Sequence, residues 1–311
     1  MPEPEIFSDH FPAFGGKCDV VFTRLEASEA KRVLQMMKNE MEQLENIISS
    51  ASLISDINRL NADKSEEWVA VDSVFIDLLS VCSDFYEMSN GAFDVSIGTL
   101  EKLWERNNQP GQDQIQSALT NSGFHLLEID SENNRVRFQK AGVILDFGAI
   151  DKAYAADVMK NILLENKITD CIVSFDEEVI LALGVHPSGE AWPIGIRNPL
   201  HPDEFIHEFE CTHRFVVNTG TWILDPEKGI PVTKKVISPE TGRLAEGRKM
   251  ISVSGSSAVL SAFLAHVWMI LTEHDQSIIA DQLADMEVFE ADFADDDVKT
   301  KLTVLTEENY E

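Results

Sequence analysis

The residues best suited to chemistry gather in one stretch, 143–157, which reads Val-Ile-Leu-Asp-Phe-Gly-Ala-Ile-Asp-Lys-Ala-Tyr-Ala-Ala-Asp. Two acids, Asp146 and Asp151, crowd Gly148, and Lys152 follows. The apolar block 143–145 reads as the end of a buried strand. From Ile150 the apolar positions recur at Tyr154, Val158 and Ile162, the stripe of an amphipathic helix. A strand therefore passes into a helix through a glycine. Unbonded N–H groups at such a helix start favour negatively charged ligands. The two acids read either as part of a site there or simply as partners of the helix dipole.

Other elements must hold that junction in place. Residues 18–23 read as a strand. Ser28 has the chemistry of an N-cap, and Val33, Met37, Met41, Leu44 and Ile48 then mark a long helix with a core-facing stripe. A second stripe, Val74, Leu78, Val81 and Phe85, is closed by Gly91. A short helix is expected over 112–119, and strands over 124–129 and 135–140 around a polar turn. Further strands are expected over 170–175, 179–184, 206–211, 214–218 and 250–254. Residues 259–271 are apolar nearly all round, as a buried helix would be. Hairpins mixed with long helices predict an α+β class. The division expected is an N-terminal segment 1–16, one domain 17–291 and an acidic C-terminal tail 292–311.

Composition narrows the functions. With 311 residues, 44% of them hydrophobic, and 17 Phe, the chain can bury a sizeable core. Its 54 acids against 25 bases give a formal charge of -29, a field that repels phosphate backbones and argues against nucleic-acid binding. Cys18, Cys82, Cys171 and Cys211 are widely spaced, form no Cys-x-x-Cys pair and read as reduced core residues. No apolar run is long enough to span a membrane, and the acidic start has no signal-peptide pattern, so the chain as given reads as cytoplasmic unless a leader was removed. No Gly-x-Gly-x-x-Gly follows a strand, which speaks against a Rossmann-type oxidoreductase.

The stretch 143–157 resembles the signature of the ApbE family, the FAD:protein FMN transferases, in which a strand ending Asp-Leu-Gly runs into a helix beginning Ala-Lys-Gly-Tyr. Asp146, Gly148, Lys152, Tyr154 and Asp157 match it. Further blocks follow the family's order. Ser55, Ile57, Leu60 and Asn61 resemble its Ser-x-Ile-x-x-Leu-Asn element. Ser89-Asn90-Gly91-Ala92-Phe93-Asp94, with Leu100 and Trp104 downstream, resembles Ser-Gly-Gly-Ala-Phe-Asp and Leu-x-x-x-Trp. Trp192, Gly195, Ile196, Arg197 and Pro199 fit a Trp-x-Val-Gly-Ile-Arg-x-Pro strand. Thr219-Gly220 takes the place of Ser-Gly, and Pro239 with Thr241-Gly242 that of the turn in His-Ile-Ile-Asp-Pro-x-Thr-Gly.

The resemblance implies one α+β unit of two sheet-and-helix layers with a cofactor cleft between its halves. It further implies that Ala92, Phe93, Asp94, Asp146, Lys152 and Thr219 contact FAD. The implied reaction moves FMN from FAD to a Thr or Ser of an acceptor protein with a divalent metal, Mg²⁺ in the family. One metal ligand there is a backbone carbonyl that maps to Ala149.

Several positions depart from the pattern. Ala51 stands where an aromatic residue packs on the flavin, and a methyl group cannot stack. Asp176-Glu177-Glu178 replace Gly-Gly-Asp, which predicts an obstructed, phosphate-repelling turn. Lys235 and Ser238 replace a His and an Asp. The family's metal-binding Asp and Thr fall at Ala262 and His266, or one residue earlier at Ser261 and Ala265. Asp151 with His266 would make a substitute N/O site, better suited to zinc, manganese or iron than to magnesium; the competing reading of His266 is a core residue satisfied by a backbone partner. The expectation is a transferase of weak or lost activity, the alternative a non-catalytic flavin-binding or protein-interaction module.

Overall fold

Strand residues here alternate between two buried faces, because the main sheet is covered on both sides. The computed structural model describes residues 6–63, 65–225, 228–294 and 297–306. In chain order, β1 (Ile6–Ala13) and β2 (Gly16–Thr23) form a hairpin and lead into α1 (Ala27–Ile48), α2 (Asp56–Ala62), β3 (Val69–Ala70) and α3 (Ser73–Met88). Then come α4 (Gly98–Arg106), α5 (Gln112–Leu119), β4 (Leu127–Asp130), β5 (Arg135–Phe138) and α6 (Asp151–Glu165). The strands β6 (Cys171–Phe175), β7 (Val179–Leu183), β8 (Trp192–Arg197), β9 (Phe205–Cys211), β10 (Arg214–Gly220), β11 (Trp222–Asp225), β12 (Ile230–Thr233) and β13 (Lys249–Gly255) follow. The last elements are α7 (Ala258–Ile270), α8 (Glu273–Ala280), β14 (Met286–Asp292) and β15 (Lys299–Leu305).

Eight strands make one antiparallel sheet in the order β1-β2-β6-β7-β10-β13-β14-β15. In β10, Phe215 and Val217 face the large core with α1, α6 and α7, while Val216 faces a second core under the β8–β9 hairpin. This is the period-2 alternation of a sheet buried on both faces. A third, small cluster joins α4 and α5 through Leu100, Ile115 and Ile237. The fold is α+β in one compact unit. All four cysteines are buried and free.

The structure differs from the sequence reading at several places. The helix α1 starts at Ala27, with Glu26 at the N-cap and no side-chain cap, so Ser28 lies inside its first turn. Residues 124–126 form a 3₁₀ turn before β4, because Asp94 and Ser96 bind the N–H groups of Phe124 and Gly123. The block 143–145 contributes a single parallel bridge, Ile97 to Ile144, rather than a strand. In α6 the fully buried residues are Ala153, Ala155, Ala156, Met159 and Leu163. The helix packs on α1, α7 and the sheet at once, so its small residues take the closest contacts and the Tyr154–Ile162 stripe is only partly covered. Stretch 1–16 contains β1, and stretch 292–311 contains β15, which pairs with β14 from Met286↔Leu305 to Asp292↔Lys299.

Candidate active site

The junction after residue 145 is pinned from several directions. Asn61 Nδ2 donates to the Leu145 carbonyl, and Leu145 N–H donates back to Asn61 Oδ1, both at 2.8 Å. Asp146 Oδ1 accepts from Gly148 N–H at 2.6 Å and tightens the turn into α6. Asp157, one turn and a half along that helix, accepts from Ser257 Oγ and from the N–H groups of Ala258 and Val259. It caps α7 and so fixes α7 against α6. Asp157 is thus structural.

These anchors leave a cavity of about 190 Å³ between the start of α6 and the face of α7. Gly148, Ala149, Asp151 and Lys152 line one side, Ala262 and His266 another, and Thr219, Lys234 and Lys235 a third. A neighbouring cavity of about 270 Å³, lined by Gly15, Gly16, Gly195, Arg197 and Asp225, shares Glu178, Asn218 and Lys234 with it. Taken together the two reach the volume of ordinary small-molecule clefts, roughly 300–1,000 Å³.

Charge in this cleft is unevenly compensated. The Glu101 carboxyl lies against Asp146, and burial followed by that neighbour pushes it up to about 9. It therefore keeps its proton at neutral pH and donates it to Asp146. Burial raises Asp151 to about 7 against the pull of the Lys152 N–H and ammonium. Burial holds His266 down, to about 4, so its ring is neutral. That ring meets the edge of Phe93 with centroids 5.9 Å apart and hydrogen-bonds no described residue; the backbone partner considered above is not among them. Lys234 is lowered to about 8 by burial and by Lys152.

The turn after β6 is where expectation and geometry diverge most. Asp176 and Glu177 take positive φ, 50° and 58°, the conformation that glycine adopts freely. Their acids do not stand unopposed. Lys152 Nζ lies 2.8 Å from Asp176 Oδ2 and 2.7 Å from Glu178 Oε2, and Lys234 pairs with the other Glu178 oxygen. Asp176 Oδ1 also accepts from Lys17 N–H, and its carboxylate fills the space that a side chain at Gly16 would need. The turn blocks the approach by ion pairing more than by repulsion.

The expected site residues separate into groups. Ala149, Asp151, Lys152, Thr219 and His266 meet around the 190 Å³ cavity, with Asp146 against its Glu101 wall. The other three do not join them. Ala92 lines a separate cavity of about 390 Å³ with Ser238 and Thr241. Phe93 is core, packed on Phe85 and Phe263. Asp94 is sealed by Ser96 and by Phe124 N–H. Lys235 is drawn to Asn108 and the Trp104 carbonyl. Three cleft residues are not among the expected site residues: Glu101, Lys234 and Asn218, whose buried Oδ1 has no partner among the described residues. For Glu101 a signal exists, an acid set between the apolar Leu100 and Leu103.

A model of the ApbE family matches residues 14–289. This chain belongs to the ApbE family. Among curated relatives, the FAD:protein FMN transferase of Treponema pallidum is 28% identical over 259 residues, 72% of this chain and 70% of that protein. Its namesake in Chlamydia muridarum is 26% identical over 219 residues, 67% of this chain and 69% of that one. The solved flavin transferase ApbE from Vibrio cholerae superposes with a TM-score of 0.82 at 20% identity, covering 96% of this chain and 97% of that one. The Pseudomonas stutzeri flavinyl transferase ApbE, in its apo form, gives 0.80 at 21% identity, covering 96% and 95%. The structural likenesses establish the ApbE fold over 96% of this chain. No helix among the described residues is long and apolar enough to cross a membrane.

Proposed function

We infer that this ApbE-family cleft takes FAD and passes its FMN half to a Thr or Ser hydroxyl of an acceptor protein. One observation carries the reading: Asp151 and Lys152 of α6, Thr219 of β10 and His266 of α7, with Ala149 just before α6, line one cavity. The ammonium groups on this cavity suit a pyrophosphate. The acceptor oxygen bonds to the FMN-side phosphorus, the hydroxyl proton is lost, and AMP departs with the bridging oxygen. The resemblance to relatives named for this activity supports the same reading.

The divalent cation that the family implies is a separate question. The described residues offer no group of three His, Cys, Asp or Glu side chains placed for a metal, and α7 turns Ala262 and His266 toward the cavity without a carboxylate. For magnesium, which prefers oxygen donors, the residues fit poorly. For manganese or zinc they fit better: the neutral His266 ring, the Asp151 carboxylate and the Ala149 carbonyl, which line the same cavity, would supply a mixed N/O set. When bound, such an ion supplies charge neutralisation at the pyrophosphate. The Lys152 ammonium orients the phosphates, and Thr219 offers a hydroxyl to the same space.

The missing α7 carboxylate favours a second reading, an ApbE fold that binds flavin or a protein without transfer. Mixing the protein with FAD and Mn²⁺ or Mg²⁺ and assaying AMP separates the two. AMP formation supports transfer chemistry. FAD binding without AMP supports the second reading, and absence of FAD binding sinks both flavin readings.

A further inference from the structure

We propose that Asp176 and Glu178 are built-in phosphate mimics that occupy two of the cleft's lysines, Lys152 and Lys234, and set how strongly it takes an anionic ligand. The inference rests on the reading of this cleft as a dinucleotide site. Lys234 lies on the wall common to the two cavities, Lys152 lines the 190 Å³ cavity beside it, and both hold carboxylates of the β6–β7 turn. Glu178 bridges them, one oxygen to each. A carboxylate bridging two ammonium groups presents the charge and spacing of a phosphate oxygen pair.

The turn is constructed to keep the acids there. Positive φ at Asp176 and Glu177 folds it back tightly, Glu178 N–H donating to the Phe175 carbonyl at 2.8 Å. Asp176 is tied to Lys17 N–H, and Gly16 leaves it room. On the far side, Asn218 N–H donates to the Glu178 carbonyl and Asn218 Nδ2 to the Glu177 carbonyl, each at 2.7 Å. The hairpin is thus bonded on both flanks and delivers two carboxylates to two lysines. A pyrophosphate entering this neck must displace them. Ligand affinity then depends on how readily the carboxylates let go, and the turn acts as a selectivity filter against weakly charged or loosely fitting anions.

The test measures binding of inorganic pyrophosphate by calorimetry and of FAD by flavin fluorescence, in wild type, Glu178→Gln and Asp176→Asn. Both substitutions keep size, remove the negative charge and turn one acceptor oxygen into an NH2 donor. The expected result is at least 10-fold tighter pyrophosphate binding in Glu178→Gln, a smaller gain in Asp176→Asn, and loss of the gain when Lys152→Ala is added. Unchanged or weaker pyrophosphate binding in a folded Glu178→Gln protein overturns the proposal, as does a gain that survives Lys152→Ala. Tighter pyrophosphate binding with no FAD binding in any variant leaves the mimicry standing and removes the flavin reading instead.

Discussion

Glu101 shows how one side chain can report on this cleft. Its carboxyl is held up to about 9 by burial and Asp146, whereas the unfolded chain ionises it near 4.5. A folded-state pKa raised above the unfolded one contributes stability that is intact below pH 4.5 and is lost as pH climbs through 9. The slope for one proton is at most about 1.4 kcal/mol per pH unit. Glu101→Gln keeps a donor for Asp146 and removes the proton, so its melting temperature should fall less than wild type's between acid and alkaline buffers. His266 works with the opposite sign. Its pKa is depressed from 6.5 to about 4, so the stability it contributes is present above 6.5 and lost as pH falls toward 4. His266→Phe should flatten that acid limb in thermal melts. Restoring the family's pattern with Ala262→Asp and His266→Thr should raise Mg²⁺-dependent AMP formation at least 10-fold; a double variant no faster than wild type would mean the missing carboxylate is not what limits magnesium use. That Lys152 and Thr219 converge on one cavity with Asp151 and His266 could be expected from the order of the motifs, Asp151 and His266 being departures read at motif positions. Lys234 could not, since nothing in its sequence surroundings announces that β6–β7 will fold onto it.

Among the elements, the turn 176–178 is where local preference and tertiary demand disagree. Glutamate in the left-handed region costs on the order of 1 kcal/mol relative to glycine. Replacing Glu177, whose ionic contact among the described residues is a 3.6 Å approach to Arg197, gives up little, because exposed pairs contribute little. Glu177→Gly should therefore raise stability by about 0.5–1 kcal/mol in chemical denaturation, with the Asn218 contact to the backbone carbonyl kept. An unchanged or lowered midpoint would show that the turn is not strained there. The same turn explains part of what sequence could and could not give. Helices α1 and α3 followed from apolar spacing, α7 from a stretch apolar nearly all round, and the strands around β6, β7, β10 and β13 from apolar runs. What a run of three acids would touch did not follow, because Lys152 and Lys234 lie 24 and 56 residues from their carboxylate partners. Likewise the face of α6 was misplaced, since a helix wedged among three neighbours buries alanines that carry no strong periodic signal.

For the molecule as a whole, charge and sheet order set the expectations. A formal charge of -29 repels itself, and salt screens that repulsion over roughly 10 Å at 0.1 M. Raising NaCl to about 0.3 M should lift the melting temperature by roughly 2–5 °C; a fall would mean that attractive pairs such as those at Lys152 outweigh the net field. The eight-stranded sheet begins with β1 and ends with β15, so strands near the two ends of the sequence form its opposite margins. Seven strand spacings separate them, roughly 30–35 Å. Fluorophores attached beside Ile6 and Leu305 would stand within the working range of energy transfer, and peeling of either border would change the signal while the interior, with its cleft, stayed shut.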